Sequence, residues 1–369
     1  MRILFANTIQ MFGGGEIWML RTLSGLRRRG HRVFLLSRPG VELQRRAQQM
    51  GIPCYAMRVR GDFGPLSILR AFRLLRRLRI DAVLTNMDKE LRLIGTAARL
   101  AGPVVVLPRR GIDFPLKDRL HYRLSYTRLA HGVIANSNAT AKALRRNAPW
   151  LDPGNIHVIY NGIDPVPFSR ARPLPLRERL KLRPGARILG FAGQLDERKG
   201  LIPLVNAFAL SAREQPRAHL VLAGTGPLRG EIVESARRLG IVERIHLLGF
   251  LPQIEPFMAA LDALILPSLW EGFGLVLIEA MAAGIPAITT AVSSMPEIVL
   301  DGRTGRVVPP GDEKAMARAI VELLSDRGKA ALWGQQGRER VLSHFTLDRM
   351  LDQLEQLFQE KCRALRGGR

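Results

Sequence analysis

Two glutamates separated by seven residues, Glu271 and Glu279, flank a glycine-containing loop in the second half of the chain. Gly272 and Gly274 allow the backbone to approach a ligand closely, and a helix expected from about Leu275 offers free N–H groups to an anion. Carboxylates beside such a loop can accept hydrogen bonds from ribose or sugar hydroxyls. The pattern therefore indicates a site for a phosphorylated ligand rich in hydroxyls. The alternative is that Glu271 caps the helix and Glu279 is a solvated helix residue.

A second pattern places two cations, Arg198 and Lys199, between a predicted strand and a helix that begins at about Gly200. Positive charge at a helix N-terminus opposes the helix dipole, so this arrangement makes sense if an anion binds there. Exposed basic residues of an arginine-rich protein are the alternative explanation.

A third pattern is a run of three glycines that ends with Gly14 and Gly15, between the first predicted strand and a helix. By itself this is a weak indication, because a triple glycine can be only a tight turn. Its spacing also differs from the G-x-G-x-x-G of dinucleotide sites, which disfavours binding of NAD.

The stretch of residues 267–286 resembles the E-x7-E signature of the retaining glycosyltransferases of family 4, which have the GT-B fold. The resemblance implies that Glu271 contacts the hydroxyls of the transferred sugar and that Glu279 binds the ribose of a nucleotide-sugar donor. It assigns the donor diphosphate to backbone amides of the loop and helix start, at Gly272, Phe273, Gly274, Leu275 and Val276.

The segment around Lys199 resembles the family's G-R-L-x-x-x-K-G motif, whose lysine binds the donor diphosphate. Gln194 stands at the position of the motif's arginine, and Arg198 is the neighbouring residue able to supply a second positive charge. Both cations would neutralise charge that develops on the leaving diphosphate. The triple-glycine loop resembles the family's N-terminal G-G-x-E loop, which borders the phosphates and the acceptor.

Residues of the acceptor side are expected after another predicted strand, where Arg109, Arg110 and Asp113 resemble the R-x-x-D-F-P stretch of lipopolysaccharide-type members. By this resemblance Asp113 would orient or deprotonate the acceptor hydroxyl, and either arginine would hold an acceptor phosphate. The alternative is that Asp113 caps a following helix. The histidine that many family members have in this neighbourhood is missing from the segment.

The elements that must position these residues alternate between short apolar strands and helical stretches along the whole chain. Such alternation, with strands that are nearly continuous in apolar residues, is typical of parallel sheets covered by helices on both faces. We therefore expect an α/β protein of two doubly wound, Rossmann-like domains. The GT-B resemblance adds a central cleft that both domains face.

Four domain segments follow from the pattern. We expect one domain at residues 1–165 and another at residues 187–345, joined by a proline-rich linker without regular structure at 166–186. The resemblance implies that the first is the acceptor-side domain and the second the nucleotide-sugar-binding domain. A last helix at 346–369 is expected to pack back on the first domain.

The charge of the chain is concentrated in its first half. Lys and Arg number 56 and Asp and Glu number 32, a net charge of +24. Residues 1–165 contain 28 basic and 10 acidic residues, and so carry +18 of this excess. This charge favours an anionic acceptor or an anionic membrane surface, with arginine-rich composition as the alternative. A basic amphipathic helix, Leu66–Arg79, could lie on such a membrane or only pack on the sheet.

Other features restrict the class of protein. The two cysteines, Cys54 and Cys362, belong to no ligand cluster, which fits a reducing compartment. The N-terminus is expected to be a strand rather than a signal peptide, and no apolar run is long enough to span a membrane. We expect a cytoplasmic protein, peripheral on the inner membrane if it binds lipid. No D-x-D, H-E-x-x-H or Cys/His pattern occurs, so neither a metal nor another cofactor is expected.

The sequence thus predicts a retaining glycosyltransferase that moves a sugar from a nucleoside-diphosphate donor to an anionic glycolipid or lipopolysaccharide-type glycan. A sugar-nucleotide epimerase or hydrolase of the same fold is the alternative enzyme. A nucleic-acid-binding protein is disfavoured, because no RRM, KH or helix-turn-helix pattern occurs and aromatics make up only 6% of residues.

Overall fold

The computed structural model describes residues 1–58 and 64–367. The chain divides into two compact units, which we call the N-terminal unit (Met1–Gly162 with Leu347–Arg369) and the C-terminal unit (Ile163–Thr346). Each unit is built on one parallel sheet whose strands are connected through helices. The prediction of two Rossmann-like α/β domains is therefore confirmed.

The sheet of the N-terminal unit has seven strands in the order β3-β2-β1-β4-β5-β6-β7. The strand order reverses at β1, so β1 and β4 are paired at the point where such sheets bind ligands beyond their carboxyl ends. The strands are β1 (Arg2–Asn7), β2 (Arg32–Ser37), β3 (Cys54–Ala56), β4 (Ala82–Thr85), β5 (Val105–Arg110), β6 (Val133–Ala135) and β7 (Ile156–Val158).

Helices cover both faces of this sheet, because alternate strand residues point to two separate apolar cores. Phe5 belongs to a core shared with Trp18 and Leu43, whereas Leu4 belongs to a core shared with Ala71 and Leu93. The helices are α1 (Gly14–Arg28), α2 (Glu42–Gln49), α3 (Pro65–Leu78), α4 (Asp88–Ala101), α5 (Leu120–Leu124) and α6 (Asn138–Asn147), with one π-helical turn (Ser125–Leu129) after α5.

The sheet of the C-terminal unit has six strands in the order β10-β9-β8-β11-β12-β13. The strands are β8 (Arg187–Ala192), β9 (Ala218–Ala223), β10 (Ile245–Gly249), β11 (Ala263–Leu266), β12 (Ala287–Thr290) and β13 (Gly305–Val308). The sequence pattern did not predict β13. This edge strand is four residues long and has the half-buried Arg306 inside it, so it lacks a continuous apolar run.

The helices of the C-terminal unit begin within the expected linker. They are α7 (Val166–Ser169), α8 (Leu176–Arg179), α9 (Leu201–Ser211), α10 (Arg229–Arg238), α11 (Glu255–Ala259), α12 (Leu275–Ala282), α13 (Met295–Ile298), α14 (Glu313–Ser325) and α15 (Arg327–His344). Residues 166–186 therefore differ from the expectation of a segment without regular structure. Phe168 and Leu176 are buried, and the Leu174 amide donates to the Pro256 carbonyl at 2.8 Å, so this segment is part of the C-terminal unit.

The last helix, α16 (Leu347–Gly367), lies in the N-terminal unit, and Gly368 and Arg369 are outside the described residues. Its apolar face joins the core that contains Trp18, whose indole N–H donates to the Met350 sulfur at 2.9 Å. Arg29, the C-cap residue of α1, pairs with Asp352 at 2.7 Å and with Glu355 at 2.8 Å. The buried apolar residues of α16 and the ion pairs of Arg29 together hold α16 against α1. None of the helices over 1–58 and 64–367 is long and apolar enough to cross a membrane.

Candidate functional site

The loop between β11 and α12 carries the first of the two glutamates. Gly274 closes the loop at a φ of 81°, the left-handed region that favours glycine, and α12 begins at the next residue, Leu275. A side chain at position 274 would also come within 3.1 Å of Leu277. Glycine at this position lets a buried helix start directly behind the loop, with its first amides available to an anion.

Glu271 of this loop forms an ion pair with Lys199, which follows β8, and both side chains are largely buried. The other Glu271 contacts are local, because the Ser268 hydroxyl donates to its Oε2 at 3.2 Å and the Gly272 amide donates to its Oε1 at 3.1 Å. The Glu271 carboxylate is therefore held by a cation from another loop, and its amide contact is to the adjacent residue rather than to α12.

The two loops that carry this pair touch through their backbones. The Leu269 amide donates to the Arg198 carbonyl at 2.8 Å. Gly200 has a φ of 62°, and a side chain there would overlap the Pro267 carbonyl oxygen. Two motifs that are 72 residues apart in sequence are thus brought together where glycine permits contact between the ends of β8 and β11.

Arg198 lies beside Lys199 but has different partners. Its guanidinium donates to Asp196 at 2.6 Å and to the Gln194 side chain at 3.0 Å, and it stands over the Trp270 ring at 5.6 Å. The hydrogen bond to Asp196 raises the pKa of Arg198 above its ordinary value. The arginine therefore places its charge next to Gln194, the position at which the family motif has its own arginine.

Glu279 lies in α12 and is only 8% exposed, so it is not a solvated helix residue. Two further glycines follow β9, where a side chain at Gly224 would overlap the Gly193 carbonyl and one at Gly226 would overlap the Leu195 carbonyl. The ends of β8 and β9 therefore pack backbone to backbone.

Sequence reasoning missed the polar residues that hold this loop from β12 and the turn after it. The Thr290 hydroxyl donates to the Ser268 carbonyl at 2.5 Å, and the Ser294 hydroxyl donates to the Phe273 carbonyl at 2.9 Å. Both side chains are buried. Their positions at the end of β12 and in the turn after it were the available signal, since ligands of parallel sheets bind beyond the strand ends.

In the N-terminal unit, Gly14 and Gly15 form the first turn of α1 rather than a loop before it. A side chain at Gly15 would meet nothing within 4 Å. The conformation is held by Glu16, which accepts from the Gly13 amide at 2.9 Å and from the Asn7 side chain at 2.9 Å.

Arg109 is 4% exposed and lies with its guanidinium 3.8 Å from the centre of the Trp18 ring. It donates to the Asn161 side chain at 2.9 Å, and no carboxylate among the described residues forms an ion pair with it. Burial lowers its pKa to about 10, against the opposing charge of Glu16. Arg109 is therefore a buried cation without a direct counter-ion.

Arg110 is instead neutralised within the protein. It donates to Asp88 at 3.3 Å and to the Phe114 carbonyl at 2.9 Å, and Asp88 also accepts from the Tyr126 hydroxyl at 2.6 Å. Burial raises the pKa of Tyr126 above its usual range, so this hydroxyl stays a donor. Arg110 is thus a component of a buried polar cluster, which disfavours the expectation that it holds an acceptor phosphate.

The Asp113 side chain is half-buried, and it forms no hydrogen bond or ion pair with any described residue. The alternative that it caps a following helix is wrong, because α5 begins only at Leu120 with Arg119 at its N-cap. The structure leaves Asp113 as a carboxylate without a role in the fold.

A buried carboxylate that sequence reasoning missed lies between β1 and β4. Glu90 accepts from the Thr8 amide at 2.5 Å and from the amides of Asn86 and Met87 at 3.0 and 3.1 Å. Burial raises its pKa to about 7. Its place in the first turn of α4, three residues after the N-cap, is the sequence signal of a capping glutamate. Glu90 therefore fixes the backbone after both strands at the switch point of the sheet.

The described part of the chain contains no cluster of three or more His, Cys, Asp or Glu side chains placed to hold a metal ion.

Comparison with known families gives a match for each half of the chain. Residues 12–166 match the family Glycosyltransferase Family 4, and residues 175–340 match the family Glycosyl transferases group 1. The second match contains Lys199, Glu271 and Glu279, and the first contains the glycines of α1 together with Arg109 and Asp113.

Curated relatives share part of the chain. An N-acetyl-alpha-D-glucosaminyl L-malate synthase of Bacillus anthracis is 29% identical over 66% of this chain and 61% of its own length. A lipopolysaccharide core biosynthesis mannosyltransferase of Rhizobium meliloti is 30% identical over 58% of this chain and 64% of its own. The chain thus spans a little over three fifths of the length of each of these two relatives.

Among solved structures, Anabaena HepE in complex with UDP is similar over 98% of this chain and 100% of its own, with a TM-score of 0.87 and 22% identity. The same protein in complex with UDP-glucose gives a TM-score of 0.81. At this level of identity the likeness shows that the fold is shared.

Proposed function

The chain belongs to the family 4 glycosyltransferases, and from this premise we propose that it transfers a sugar from a nucleoside-diphosphate donor to an acceptor hydroxyl. The observation that carries the proposal is the Lys199–Glu271 ion pair in front of α12. A cation and a carboxylate that have mainly each other as partners can exchange that contact for the phosphate and the hydroxyls of one ligand.

In this proposal the donor lies across the carboxyl ends of the strands of the C-terminal unit. Lys199, Arg198 and the first amides of α12 hold the diphosphate, and they neutralise the charge that grows on it as the glycosidic bond breaks. Glu271 holds the sugar hydroxyls and Glu279 the ribose. Since these cations and amides can supply the electrostatic stabilisation, we expect transfer to continue after a chelator has removed divalent metal ions.

The proposed reaction retains the anomeric configuration of the sugar. Glu271 is engaged by Lys199 and Ser268, so we assign it to binding rather than to a covalent intermediate. The acceptor then attacks on the face from which the diphosphate leaves, with the leaving phosphate as its proton acceptor. The anomeric coupling constant of the first product in proton NMR tests this, since an inverted product would contradict it.

On the acceptor side, the proposal favours an anionic glycolipid or lipopolysaccharide-type glycan. The support is the charge of residues 1–165 together with Arg109, a buried cation without a direct counter-ion. The half-buried Asp113 is the carboxylate available to orient the acceptor hydroxyl. Gly14 and Gly15 form the start of α1, and the open space at Gly15 lets an acceptor or phosphate approach the backbone.

A peripheral position on the inner membrane is part of the same proposal. Helix α3 exposes Leu66 (71%) and Leu69 (41%), and Arg70 and Arg73 of the same helix are on its solvated side. Apolar side chains among cations are suited to an anionic lipid surface. Sedimentation with vesicles with and without phosphatidylglycerol tests this, and equal binding to both would contradict it.

The first experiment is a thermal-shift screen of the full chain against UDP, GDP, ADP and CMP and their sugars, without added metal. A ligand that binds the native state raises the apparent Tm, so stabilisation by one nucleotide identifies the donor base. Consumption of the matching sugar nucleotide without an acceptor would favour the epimerase or hydrolase alternative. If no nucleotide produces a shift, the assignment of the site is wrong.

A further inference from the structure

The turn between β12 and α13 holds a serine in a backbone conformation that favours glycine. Ser293 has a φ of 48°. Among the described non-glycine residues only Arg79 and Lys181 also have a positive φ, and both follow the end of a helix, where a left-handed residue is common. Ser293 follows a strand, so helix termination does not explain its conformation.

The turn itself has a regular form. The Met295 amide donates to the Val292 carbonyl at 3.1 Å, and Ser294 has φ −79° and ψ −6°. A positive φ followed by these angles matches a type II′ turn, whose first central residue is usually glycine. Glycine would form this turn with less strain, so the feature that serine adds is its hydroxyl.

That hydroxyl is not used by the fold. The Ser293 Oγ atom is buried and has no hydrogen-bond partner among the described residues. The neighbouring hydroxyls of Thr290 and Ser294 both donate to backbone carbonyls. Since buried hydroxyls are normally hydrogen-bonded, a strained residue with an unsatisfied hydroxyl indicates a ligand that completes it.

The residues on both sides of Ser293 bind the loop between β11 and α12. Ser294 binds the Phe273 carbonyl, and Thr290 binds Ser268, whose hydroxyl in turn donates to Glu271. These contacts hold the turn and the end of β12 against the loop that carries Glu271, the residue assigned to the sugar.

We propose that the Ser293 hydroxyl binds a hydroxyl of the transferred sugar and contributes to the choice of that sugar. The inference rests on the proposed function and deepens it, because it adds a specificity residue to the donor site.

The test compares Ser293→Gly and Ser293→Ala with the wild type by titration calorimetry. The starting ligands are UDP and UDP-glucose, or the nucleotide and sugar nucleotide selected by the thermal-shift screen. Both variants should leave the Kd of the free nucleotide within about twofold and weaken the sugar nucleotide about three- to tenfold, the effect of one lost hydrogen bond. Lys181→Gly is the matched control, since it relieves a φ of 51° on an exposed residue outside the site and should change neither Kd.

Three results would overturn the inference. An unchanged Kd for the sugar nucleotide in both variants means that Ser293 is only a strained turn. An equal loss for nucleotide and sugar nucleotide means that the serine supports the loop as a whole. If the wild type binds no nucleotide of the screen, the proposed function fails and this inference fails with it, whereas a defect confined to the variants concerns Ser293 alone.

Discussion

The candidate sites of the two units use their charged residues in opposite ways. In the C-terminal unit, Lys199 and Glu271 have mainly each other as partners and lie in loops that glycines bring together. In the N-terminal unit, Arg110 is bound by Asp88 and the Phe114 carbonyl, within a cluster that includes Tyr126. A ligand can replace each member of the first pair. Removal of a member of the second cluster leaves a buried group without a partner.

A charged residue in a predicted site can therefore serve either to bind a ligand or to stabilise the fold. Substitutions in the C-terminal pair should therefore change activity far more than stability, even though they leave one charge of a largely buried pair without its partner. Substitutions in the N-terminal cluster should do the reverse. Substitutions in the two units test whether ligand-binding and fold-stabilising charges can be distinguished in this way.

The largest effect is expected for Glu271→Ala. Loss of the carboxylate removes the contacts assigned to the transferred sugar, and a preorganised group of this kind is worth roughly 100- to 1000-fold in rate. The measurement is kcat/KM for transfer with the donor selected by thermal shift, together with the apparent Tm. Glu234→Ala, on an exposed position of α10, is the control and should change neither quantity. Full activity of Glu271→Ala would break the assignment of the site.

A large effect on both quantities is expected for Gly200→Ala. The added carbon would overlap the Pro267 carbonyl oxygen and sit at a φ of 62°, so the two loops must separate and Lys199 must move. We expect a loss of stability of about 3 kcal/mol, from the left-handed strain plus the clash, and a loss of donor binding.

Gly240→Ala provides the matched control for this substitution. Its φ is 67°, but a side chain there meets nothing within 4 Å, so it carries the backbone strain without the clash. It should cost about 1 kcal/mol and leave donor binding intact. Equal effects of the two substitutions on unfolding would show that contact between the loops does not position Lys199.

The sequence predicts the C-terminal site better than the N-terminal one for a physical reason. Gly200 and Gly274 mark places where the backbone is left-handed or makes a close contact, and such requirements are visible in one sequence. Strand alternation likewise predicts both sheets, apart from β13, whose half-buried Arg306 interrupts the apolar run.

The hydrogen-bond and ion-pair partners of individual side chains could not be predicted in the same way. Whether an arginine after a strand points to a ligand or to a buried aspartate depends on residues far away in sequence. Arg110 meets Asp88 and Tyr126 only because α4 packs against both β5 and the π-helical turn. For the same reason Ser293 and Thr290 could not be distinguished from ordinary turn and strand residues before their hydrogen bonds were known.

In the N-terminal unit we expect Arg110→Gln to lower stability and to leave donor binding unchanged. The substitution leaves the Asp88 carboxylate largely buried without its cation, which should cost about 2 kcal/mol. Arg123→Gln is the control, because Arg123 and Asp118 form an ion pair in which both side chains are about half exposed, and such pairs contribute about 0.5 kcal/mol. The apparent Tm of the two variants measures the difference. If Arg110→Gln keeps the wild-type Tm but loses binding of an anionic acceptor, then Arg110 belongs to the ligand and the comparison between the units is wrong.

The smallest effect is a pH dependence that originates at Glu90. Its pKa is raised from 4.5 to about 7 by burial, so between these pH values the folded state holds a proton that the unfolded state has released. By linkage, Glu90 contributes stability at low pH that is lost as the pH rises through about 7. His131 and His157 act in the opposite direction, because burial lowers their pKa values and their contribution is lost as the pH falls.

The measurement is therefore the difference in apparent Tm between the wild type and Glu90→Gln from pH 5 to pH 7.5. The variant lacks the Glu90 hydrogen bonds at every pH, and it has no carboxyl that titrates. The difference should therefore shrink as the pH rises, because only the wild type loses the stability that the protonated carboxyl gives. A difference that stays constant would mean that the Glu90 carboxyl does not titrate in this range and that its amide donors keep it ionised.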